Sequence, residues 1–566
     1  MIAPGLRAQA GVYINPALGQ RRPWWEATLG WQGQLAQPEG VRGAVPATSE
    51  PAITHAGVVG RQFGLLHWYQ RVHLSPVSLA LGNVVSSQQR QVMVWNAWLD
   101  QGATVTAVTM TGGEGITLTG PGVLPLAFKP LQVRYWQVSV ALDGPPTVAA
   151  SITWTVSATP MTLAITGSRV TAFGWVPDWA DGVRESLAWL TDVLQSPTGA
   201  EQRRQLRAWP RRSWSATVIV DQRERTFADL AFYGWSQRNW ALPIWADVTW
   251  LSAPVAAGAL SIALDTTHLD YRAGGLALLR GATAFDVEVV EIDAVRADGI
   301  DLVRPVQATW SAGARVYPVR LARLTESPQR SRMTDQDSRY DVSLVASEMC
   351  AWDAPLALPL YRGVPVLAER PDESDELSGQ FEWMATTLDN DINLPQITDL
   401  IGTGLSIQQH AWLLDGRAER AAWRSLAYHL AGRCNLVWLP TYADDVRLVA
   451  TAAASASTLD IEMIGYARFG GGTTGRRHLR IELYDGTAIH RRITGGAVVD
   501  EQTERLSLDQ AVGVELRTDN VRRISWLQLM RGQDDGMEIK HVTDVDGVAT
   551  ADTLLRGVRD DLELAA

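Results

Sequence analysis

The sequence predicts a mainly β, multidomain protein: a β-sandwich followed by two related β-rich modules, each with a leading helix. Three observations support this. The chain has 566 residues, too many for a single hydrophobic core. Short segments of alternating apolar and polar residues, separated by Gly and Pro, recur along most of it. A Leu-Pro-x-aromatic-Ala-Asp motif occurs twice, at Leu242–Asp247 and Leu439–Asp444, which indicates an internal repeat.

The composition narrows the class of protein. A hydrophobic content of 46% with 20% charged residues is typical of folded proteins. The net charge of −11 argues against a general role in wrapping nucleic acid, which needs a basic face. Cys350 and Cys434 are too few for a disulfide framework or a four-cysteine zinc site, and we expect buried thiols. With no apparent secretion signal and no run of about 18 apolar residues, we expect synthesis in the cytosol and no membrane span.

Residues 1–75 are predicted to form an irregular N-terminal arm, because they are rich in Pro, Gly and small polar residues. Trp24, Trp25 and Trp31 lie in this segment and are candidate interface residues, since Trp is enriched at interface anchors. Folding back onto their own chain is an equally good interpretation of these three indoles.

Residues 76–172 are predicted to form a two-sheet sandwich, because segments such as "QVMVWNA", "ATVTAVTMT" and "AASITWTV" alternate at regular spacing. Leu81-Gly82-Asn83, "QRQVMVWNAW", "PLAFKPLQ" and "LAITGSRV" follow one another in an order that resembles immunoglobulin-like modules of the major-sperm-protein and Hydin type. The resemblance implies an Ig-like domain that serves as an adhesive or structural spacer.

Two β-rich modules are predicted at 173–325 and 401–566. In the first, Phe227, Leu230 and Ala231 have the spacing of a buried helix face, and Pro243 prevents the helix from continuing. The second repeats this order with a helix stripe at Trp423, Leu426, Ala427 and Leu430. The separation is 439 − 242 = 197 residues at the motif and 461 − 262 = 199 at the first strand. Such a constant separation indicates duplication.

Residues 326–400 are predicted to be an acidic connecting region that packs with the modules or projects from them. "LDNDIN" within it resembles the opening of a calcium loop but lacks the glycine and glutamate that complete one, so a turn stabilised by Asx side chains is expected. A crowded set of carboxylates is interpreted as a solvated loop in preference to a glycosidase pair: Glu369, Asp372, Glu373, Asp375, Glu376 and Glu382.

The sequence offers few signals of catalysis. No lysine follows a glycine as in a phosphate-binding loop, no two histidines are four apart, and no G-x-S-x-G elbow occurs. Cys434 near His429 is interpreted as a buried thiol at a helix end. The glycines of "FGGGTTGRRH" (469–478) precede a strand pattern, so we expect a loop between strands. No catalytic, cofactor-binding or metal-binding residue is assigned, no cofactor is expected, and we predict that the protein is not an enzyme.

The helix and Leu-Pro segments resemble tail-tip (distal tail or baseplate) proteins of long-tailed bacteriophages. The matching stretches are "RTFADLAFYGWSQRNWALPIWAD", "RAERAAWRSLAYHLAGRCNLVWLPTYADD" and the closing "LQLMRGQDDGMEIKHVTDVDG". The resemblance implies a virion protein at the distal end of the tail, in a three- or sixfold ring that joins the tail tube to hub and fibre proteins. Trp240, Trp245, Trp438 and Tyr442 are further candidate interface residues. A receptor- or carbohydrate-binding tail protein, with a host-surface glycan as partner, is the first alternative, and a cell-wall-degrading tail enzyme is the second.

Overall fold

The computed structural model of the chain describes residues 69–564 except 86, 142–143, 146, 236–237, 375, 472 and 545–546. The described residues form two compact units, one that ends at Val170 and one that begins at Thr171. With 49% strand and 8% helix, the fold is mainly β and multidomain, which confirms the predicted fold class. Within the described residues, no helix has the length and apolar character needed to cross a membrane.

The described part of the first unit is a sandwich of two sheets, with strand orders β1-β3-β7-β5 and β2-β9-β8-β4-β6. The strands are β1 Val72–Ser75, β2 Ser78–Val84, β3 Gln88–Asn96, β4 Ala103–Thr111, β5 Ile116–Thr119, β6 Leu126–Phe128, β7 Val133–Val140, β8 Thr147–Val156 and β9 Thr159–Arg169. Their alternate residues face inward, as Ile152 and Trp154 of β8 do, and both sheets contribute to one core. The alternation of apolar and polar residues in the sequence therefore accounts for the two-sheet packing of this domain.

The second unit begins with the first module, which spans 171–346. Its strands are β10 Thr171–Ala172, β11 Val183–Ala188, β12 Thr191–Gln195, β13 Glu201–Gln205, β14 Arg211–Asp221, β15 Trp240–Pro243, β16 Thr249–Trp250, β17 Ser261–Ala263, β18 Leu276–Arg280, β19 Val287–Arg296, β20 Gly299–Leu302, β21 Arg315–Leu324, β22 Gln329–Arg332 and β23 Asp337–Ala346. Helix α1, Gln222–Trp235, follows β14, and a 3-10 turn, Trp245–Asp247, follows β15.

The second module spans 366–557. A short hairpin of β24 Leu360–Tyr361 and β25 Val364–Pro365 precedes it. Its strands are β26 Ser378–Glu382, β27 Ala385–Leu388, β28 Gln396–Asp399, β29 Leu405–Leu414, β30 Leu436–Pro440, β31 Thr458–Glu462, β32 His478–Leu483, β33 Ala488–Val498, β34 Thr503–Leu508, β35 Val521–Gly532, β36 Gly536–His541 and β37 Ala549–Gly557. Its helices are α2 Arg417–Leu430 and α3 Tyr466–Phe469, and α4 Asp560–Glu563 follows the last strand.

The two modules have the same topology. Strand β11 pairs with β14, β12 with β13, and β14 with β23, just as β26 pairs with β29, β27 with β28, and β29 with β37. Strand β21 pairs with β15, β18 and β23, and its counterpart β35 pairs with β30, β32 and β37. The meander β17 to β20 matches β31 to β34 pair by pair. The repeated motif thus belongs to a repeated fold.

The registers of the modules agree as well. Ala172 of the first module is equivalent to Val366 of the second, and Arg211 is equivalent to Leu405. The separation between equivalent residues is constant over this stretch, since 366 − 172 and 405 − 211 both give 194. Both hairpins of this stretch have the same register, with Thr191 opposite Gln205 in one and Ala385 opposite Asp399 in the other. Agreement at this level supports the duplication that the Leu-Pro motif predicted.

The region predicted as a connection, 326–400, divides between the modules. Strands β22 and β23 lie in it and complete the first module, since β23 pairs with β14 and β21. Strands β26 to β28 also lie in it and open the second module. Four strands of this stretch are exposed, β22, β27 and β28 at every residue and β26 at all but its last, which fits its turn-rich, polar composition. Strand β23, in contrast, has alternate residues buried.

The two helices differ in how they are covered. Trp423, Leu426, Ala427 and Leu430 of α2 are buried, which confirms that predicted stripe. In α1 the buried residue is Ala228, whereas Leu230, which we expected on the buried face, is 64% exposed. The prediction for Leu230 was wrong because apolar spacing shows which residues avoid water, not what covers them.

Candidate assembly interface

One strand joins the two modules into a continuous sheet. β11 pairs antiparallel with β14 of its own module along one edge and with β36 of the second module along the other. Arg184, for example, lies opposite Ser215 on one side and Lys540 on the other. The junction between modules is therefore a strand pairing, supplemented by the side-chain contacts described next.

A buried charge cluster lies at this junction. Two arginines of α2 reach across to Asp247 of the first module: Arg420 donates to its Oδ1 at 2.6 Å and Arg424 to its Oδ2 at 2.8 Å. Arg424 also donates to Glu185 of β11 at 2.9 Å, and Arg212 donates to the same carboxylate at 2.6 Å. These five side chains are at most 1% exposed. The charges pair with one another across the module boundary, as buried ions must.

The repeated Leu-Pro motif places Asp247 in this cluster. Strand β15 ends at Pro243, which has no backbone N–H to donate to a helical hydrogen bond. A 3-10 turn follows, and its last residue, Asp247, is buried. The equivalent Asp444 is partly exposed and pairs only with the nearby Arg447, at 3.2 Å, among the described residues. The same motif is thus engaged by a helix in one copy and open to solvent in the other.

The electrostatics keep the cluster ionised. Burial alone raises the pKa of Glu185, but Arg212 and Arg424, with a hydrogen bond from His541, hold it well below its ordinary value. Burial likewise opposes ionisation of Asp247, and Arg424 and Arg420 lower its pKa. Burial lowers the pKa of His541, which therefore stays neutral near pH 7. Such an arrangement holds two modules in one register and leaves no carboxylate free for proton transfer.

The segment after β11, which we name the first arm (189–205), lies against the second module. Trp189 is buried among residues of α2, with its ring 5.6 Å from that of Tyr428 in an edge-to-face arrangement. Glu201 accepts two hydrogen bonds from Arg531, at 2.7 and 2.8 Å. The backbone N–H of Thr191 donates to Asp535 at 2.9 Å. The first arm therefore fastens the modules together.

The equivalent segment of the second module, the second arm (383–399), is exposed. Trp383, the counterpart of Trp189 at the constant separation of 194, is 73% exposed, and Phe381 before it is 61% exposed. Both strands of the arm are exposed at every residue. Further apolar side chains stand out from the arm and the residue after it: Leu388, Ile392, Leu394, Ile397 and Leu400. An apolar patch of this size on one hairpin is typical of an interaction surface.

The first module carries an exposed counterpart of the surface that receives the first arm. When the two 14-residue helices are aligned end to end, Tyr233 of α1 takes the place of Tyr428, and Tyr233 is 90% exposed. Arg323 of β21 is equivalent to Arg531 of β35. Arg323 lies opposite Val345 of β23, and Arg531 lies opposite the equivalent residue of β37, Arg556. The chain thus has one engaged junction and the two halves of a second one, both open.

The structure places the predicted interface residues in two groups. Trp240, Trp245, Trp438 and Tyr442 are buried in the modules, with indole and phenol rings packed on side chains of their own chain. Burial leaves these four rings no surface to offer a neighbouring subunit, which corrects our expectation of them as anchors. Trp24, Trp25 and Trp31 lie outside the described residues.

Sequence reasoning missed Trp383 and Tyr233 as surface residues. A signal was present, since "VPDWADG" and "RPDESDE" lie 194 residues apart and share Pro-Asp. In both copies the backbone N–H of that Asp donates to the adjacent strand, from Asp178 to Thr217 O and from Asp372 to Ala411 O, each at 2.7 Å. This pair would have extended the repeat N-terminally to the arms and shown Trp383 as the partner of Trp189.

The segments weighed for chemistry have structural roles. Asp389 accepts the backbone N–H of Asp391 at 3.0 Å, so "LDNDIN" is a turn stabilised by Asx side chains as expected. In the described part of the chain, no group of three or more His, Cys, Asp or Glu residues is placed to hold a metal ion. His429 contacts the Leu436 carbonyl at 3.2 Å, and Arg203 donates to the carbonyl of Cys434. Cys350 is buried, which raises the pKa of its thiol, and Cys434 is half-buried.

The aromatic residues of the sandwich bear on the alternative of glycan binding. Trp136 and Trp154 are buried in the core, 6.0 Å apart in an edge-to-face arrangement. These two indoles stabilise the sandwich and form no part of an exposed carbohydrate platform.

Comparison with known proteins gives no further identification. A scan of the chain against protein-family models finds no match, and a search of curated proteins finds none either. The arrangement of modules, arms and exposed faces is therefore the basis for assigning a function.

Proposed function

We propose that this protein is a structural, non-enzymatic component of the tail tip or baseplate of a long-tailed bacteriophage. In the virion, copies form a three- or sixfold ring at the distal end of the tail, after synthesis in the host cytoplasm. The ring joins the tail tube protein to hub and fibre proteins. The observation that carries the proposal is the duplicated module with one engaged junction and one open one, since a subunit of this kind is suited to joining copies of itself.

The phage tail is favoured by the two helix and Leu-Pro segments, whose residues resemble tail-tip proteins. Both segments occupy equivalent places in the two modules, where β15 and β30 follow the helices and pair with β21 and β35. The strand that follows α2 is central to its module and not a surface decoration. The resemblance therefore concerns the framework of both modules.

Two equivalent modules in one chain also suit the symmetry of a tail. Three chains present six near-equivalent modules, which allows one ring to contact a sixfold tube and a threefold hub. Contacts of this head-to-tail type close into a ring when the rotation between neighbours permits it. The β-sandwich at 69–170 serves as a spacer or adhesive domain in this scheme.

The proposal is tested by locating the chain in phage particles. Antibodies raised against the purified full chain should label the distal end of the tail in electron micrographs, and mass spectrometry of purified particles should detect the chain in a copy number that is a multiple of three. Absence from particles, or labelling of the head, would overturn the proposal. A zymogram of the purified chain on peptidoglycan is expected to show no clear band, and a clear band would favour the enzymatic alternative.

A further inference from the structure

We propose that the open half-junction of the second module binds the open half-junction of the first module in another copy of this chain. Strand β26 pairs with β22 of the neighbour, and the second arm lies over the neighbour's α1 and β21. This proposal supplies the subunit contact of the ring, and in that respect it rests on the proposed function. The contact inside the chain, where β11 and the first arm bind the second module, is its template.

The strand edges are complementary. In the described part of the chain, β26 pairs only with β29 and β22 only with β23, so each has one edge without a strand partner. Their counterparts β11 and β36 pair with each other, with Ser186 opposite Glu538. Gln380 is equivalent to Ser186 at the constant separation of 194. Gln329 is equivalent to Glu538, because Gln329 lies opposite Asp341 of β23 and Glu538 lies opposite the equivalent Asp552 of β37. The same register therefore places Gln380 of one copy opposite Gln329 of the next. Open strand edges of this kind are ready-made pairing sites.

The aromatic contact of the template has an exposed counterpart on each side. Inside the chain Trp189 packs edge-to-face on Tyr428 of α2. Trp383 and Tyr233 occupy the equivalent positions and are among the most exposed aromatic side chains of the second unit. Between two copies the same geometry brings Trp383 onto Tyr233, with Leu230 of α1 beside it, and covers three apolar side chains that are otherwise in water. Trp and Tyr are the residues that most often anchor interfaces.

Charge favours the same docking. The second arm carries Asp389, Asp391 and Asp399 and no Lys or Arg. The surface proposed to receive it includes Arg323, which among the described residues donates to Asn239 at 2.8 Å and has no ion-pair partner. In the template the same place is held by Arg531, paired with Glu201. In the second arm Pro395 takes the place of Glu201, so the three aspartates elsewhere on the arm supply the negative charge that favours docking near Arg323.

The geometry selects a second copy of this chain over other occupants. The first arm binds a surface of the second module formed by α2 and β35. The first module has the same topology, so its α1 and β21 form an equivalent surface for the second arm. A contact between different faces of identical subunits is heterologous, so each copy keeps one free face for the next. The expected products are closed rings or open chains, not isologous dimers.

The register is tested by disulfide cross-linking of full-length chains in a Cys434→Ser background. One chain carries Gln380→Cys and the other, distinguished by a mass tag, carries Gln329→Cys. Mild oxidation should give a covalent heterodimer, because opposed side chains in an antiparallel pair lie close together. The matched control replaces Gln380→Cys with Gly379→Cys, which points to the opposite face of the sheet. Equal cross-linking by both combinations, or none by the first, would overturn the proposal.

Self-association of the purified chain gives an independent measurement. We expect concentration-dependent oligomers by light scattering, and Trp383→Ala should weaken the association roughly tenfold or more. Tyr484→Ala removes an aromatic ring of similar exposure outside the proposed contact and should leave association unchanged. A wild-type chain that stays monomeric up to its solubility limit would contradict the contact. Location in virions is measured separately, so the contact and the tail function can fail independently.

Discussion

Replacing Asp247 by Asn tests whether the buried charge cluster holds the two modules together. Asp247 is fully buried and accepts hydrogen bonds from Arg420 at 2.6 Å and Arg424 at 2.8 Å. Asn keeps the size of the side chain but removes the charge, which leaves Arg420 buried with no carboxylate partner among the described residues. Removing one partner of a buried ion pair typically destabilises a protein by about 3–5 kcal/mol. The ratio of folded to unfolded protein should therefore fall by about two to three and a half powers of ten.

The assay is native-state hydrogen exchange resolved by peptide. Exchange in peptides from 171–564 should accelerate in the variant, while peptides from the sandwich at 69–170 serve as an internal control because they belong to a separate compact unit. The matched variant is Asp444→Asn, which changes the equivalent residue of the second motif. Asp444 is partly exposed and pairs with Arg447 of its own turn, so its replacement should cost no more than about 0.5 kcal/mol. Equal effects of the two substitutions would refute the role assigned to Asp247.

Three further predictions concern stability. Burial lowers the pKa of His478 to about 3, so below pH 6.5 the unfolded chain binds more protons at this residue than the folded chain does. The contribution of His478 to stability should therefore fall by about 1.6 kcal/mol from pH 6.5 to 5. Denaturant titrations should show a smaller pH slope for His478→Gln, and an unchanged slope would contradict this. Glu201→Gln should lower the free energy of unfolding by about 3 kcal/mol and speed proteolysis in the first arm, because the buried Arg531 loses its carboxylate partner. The control is Glu538→Gln, which should have little effect because the pair of Glu538 with Arg184 is exposed. Gly532→Ala should cost about 1–3 kcal/mol in thermal unfolding, since a Cβ there would meet the Gly432 carbonyl oxygen at 2.5 Å, and a neutral effect would show that the backbone yields.

Much of the fold could be predicted from the sequence because it depends on local patterns. Alternation of apolar residues identified the sandwich strands, and the helix stripe from Trp423 to Leu430 identified α2. The Leu-Pro motif identified the duplication because Pro243 and Pro440 end equivalent strands. Each of these signals acts within a few residues, where sequence and conformation are directly linked.

The interface could not be predicted in the same way, because exposure depends on what covers a residue. Trp240 and Trp438 resemble surface anchors in sequence, yet each lies in the middle of a sheet and is fully buried. Trp189 and Trp383 have the same position in their modules and differ in exposure only because the second module follows the first on one side. The order of the modules along the chain decides which of the two equivalent indoles is covered. The residues around each indole do not indicate this order.

The divergence of the two copies follows from the same asymmetry. The junction inside the chain forms once, during folding, and can use buried charges such as Glu185 and Asp247, whose desolvation is offset by three fixed arginines. At the equivalent places the second module has Gly379 and the partly exposed Asp444, and α1 carries Leu230 where α2 has Ser425. A contact between separate subunits must leave both surfaces soluble before assembly, and an unpaired buried charge would not permit this. Apolar and aromatic side chains can stand in water at modest cost and still bind on contact. The open surface thus lacks one buried carboxylate, since Gly379 stands in place of Glu185, but it keeps the aromatic pair as Trp383 and Tyr233. Loss of the buried charge with retention of the aromatic contact is what an assembly surface requires of a copied folding interface.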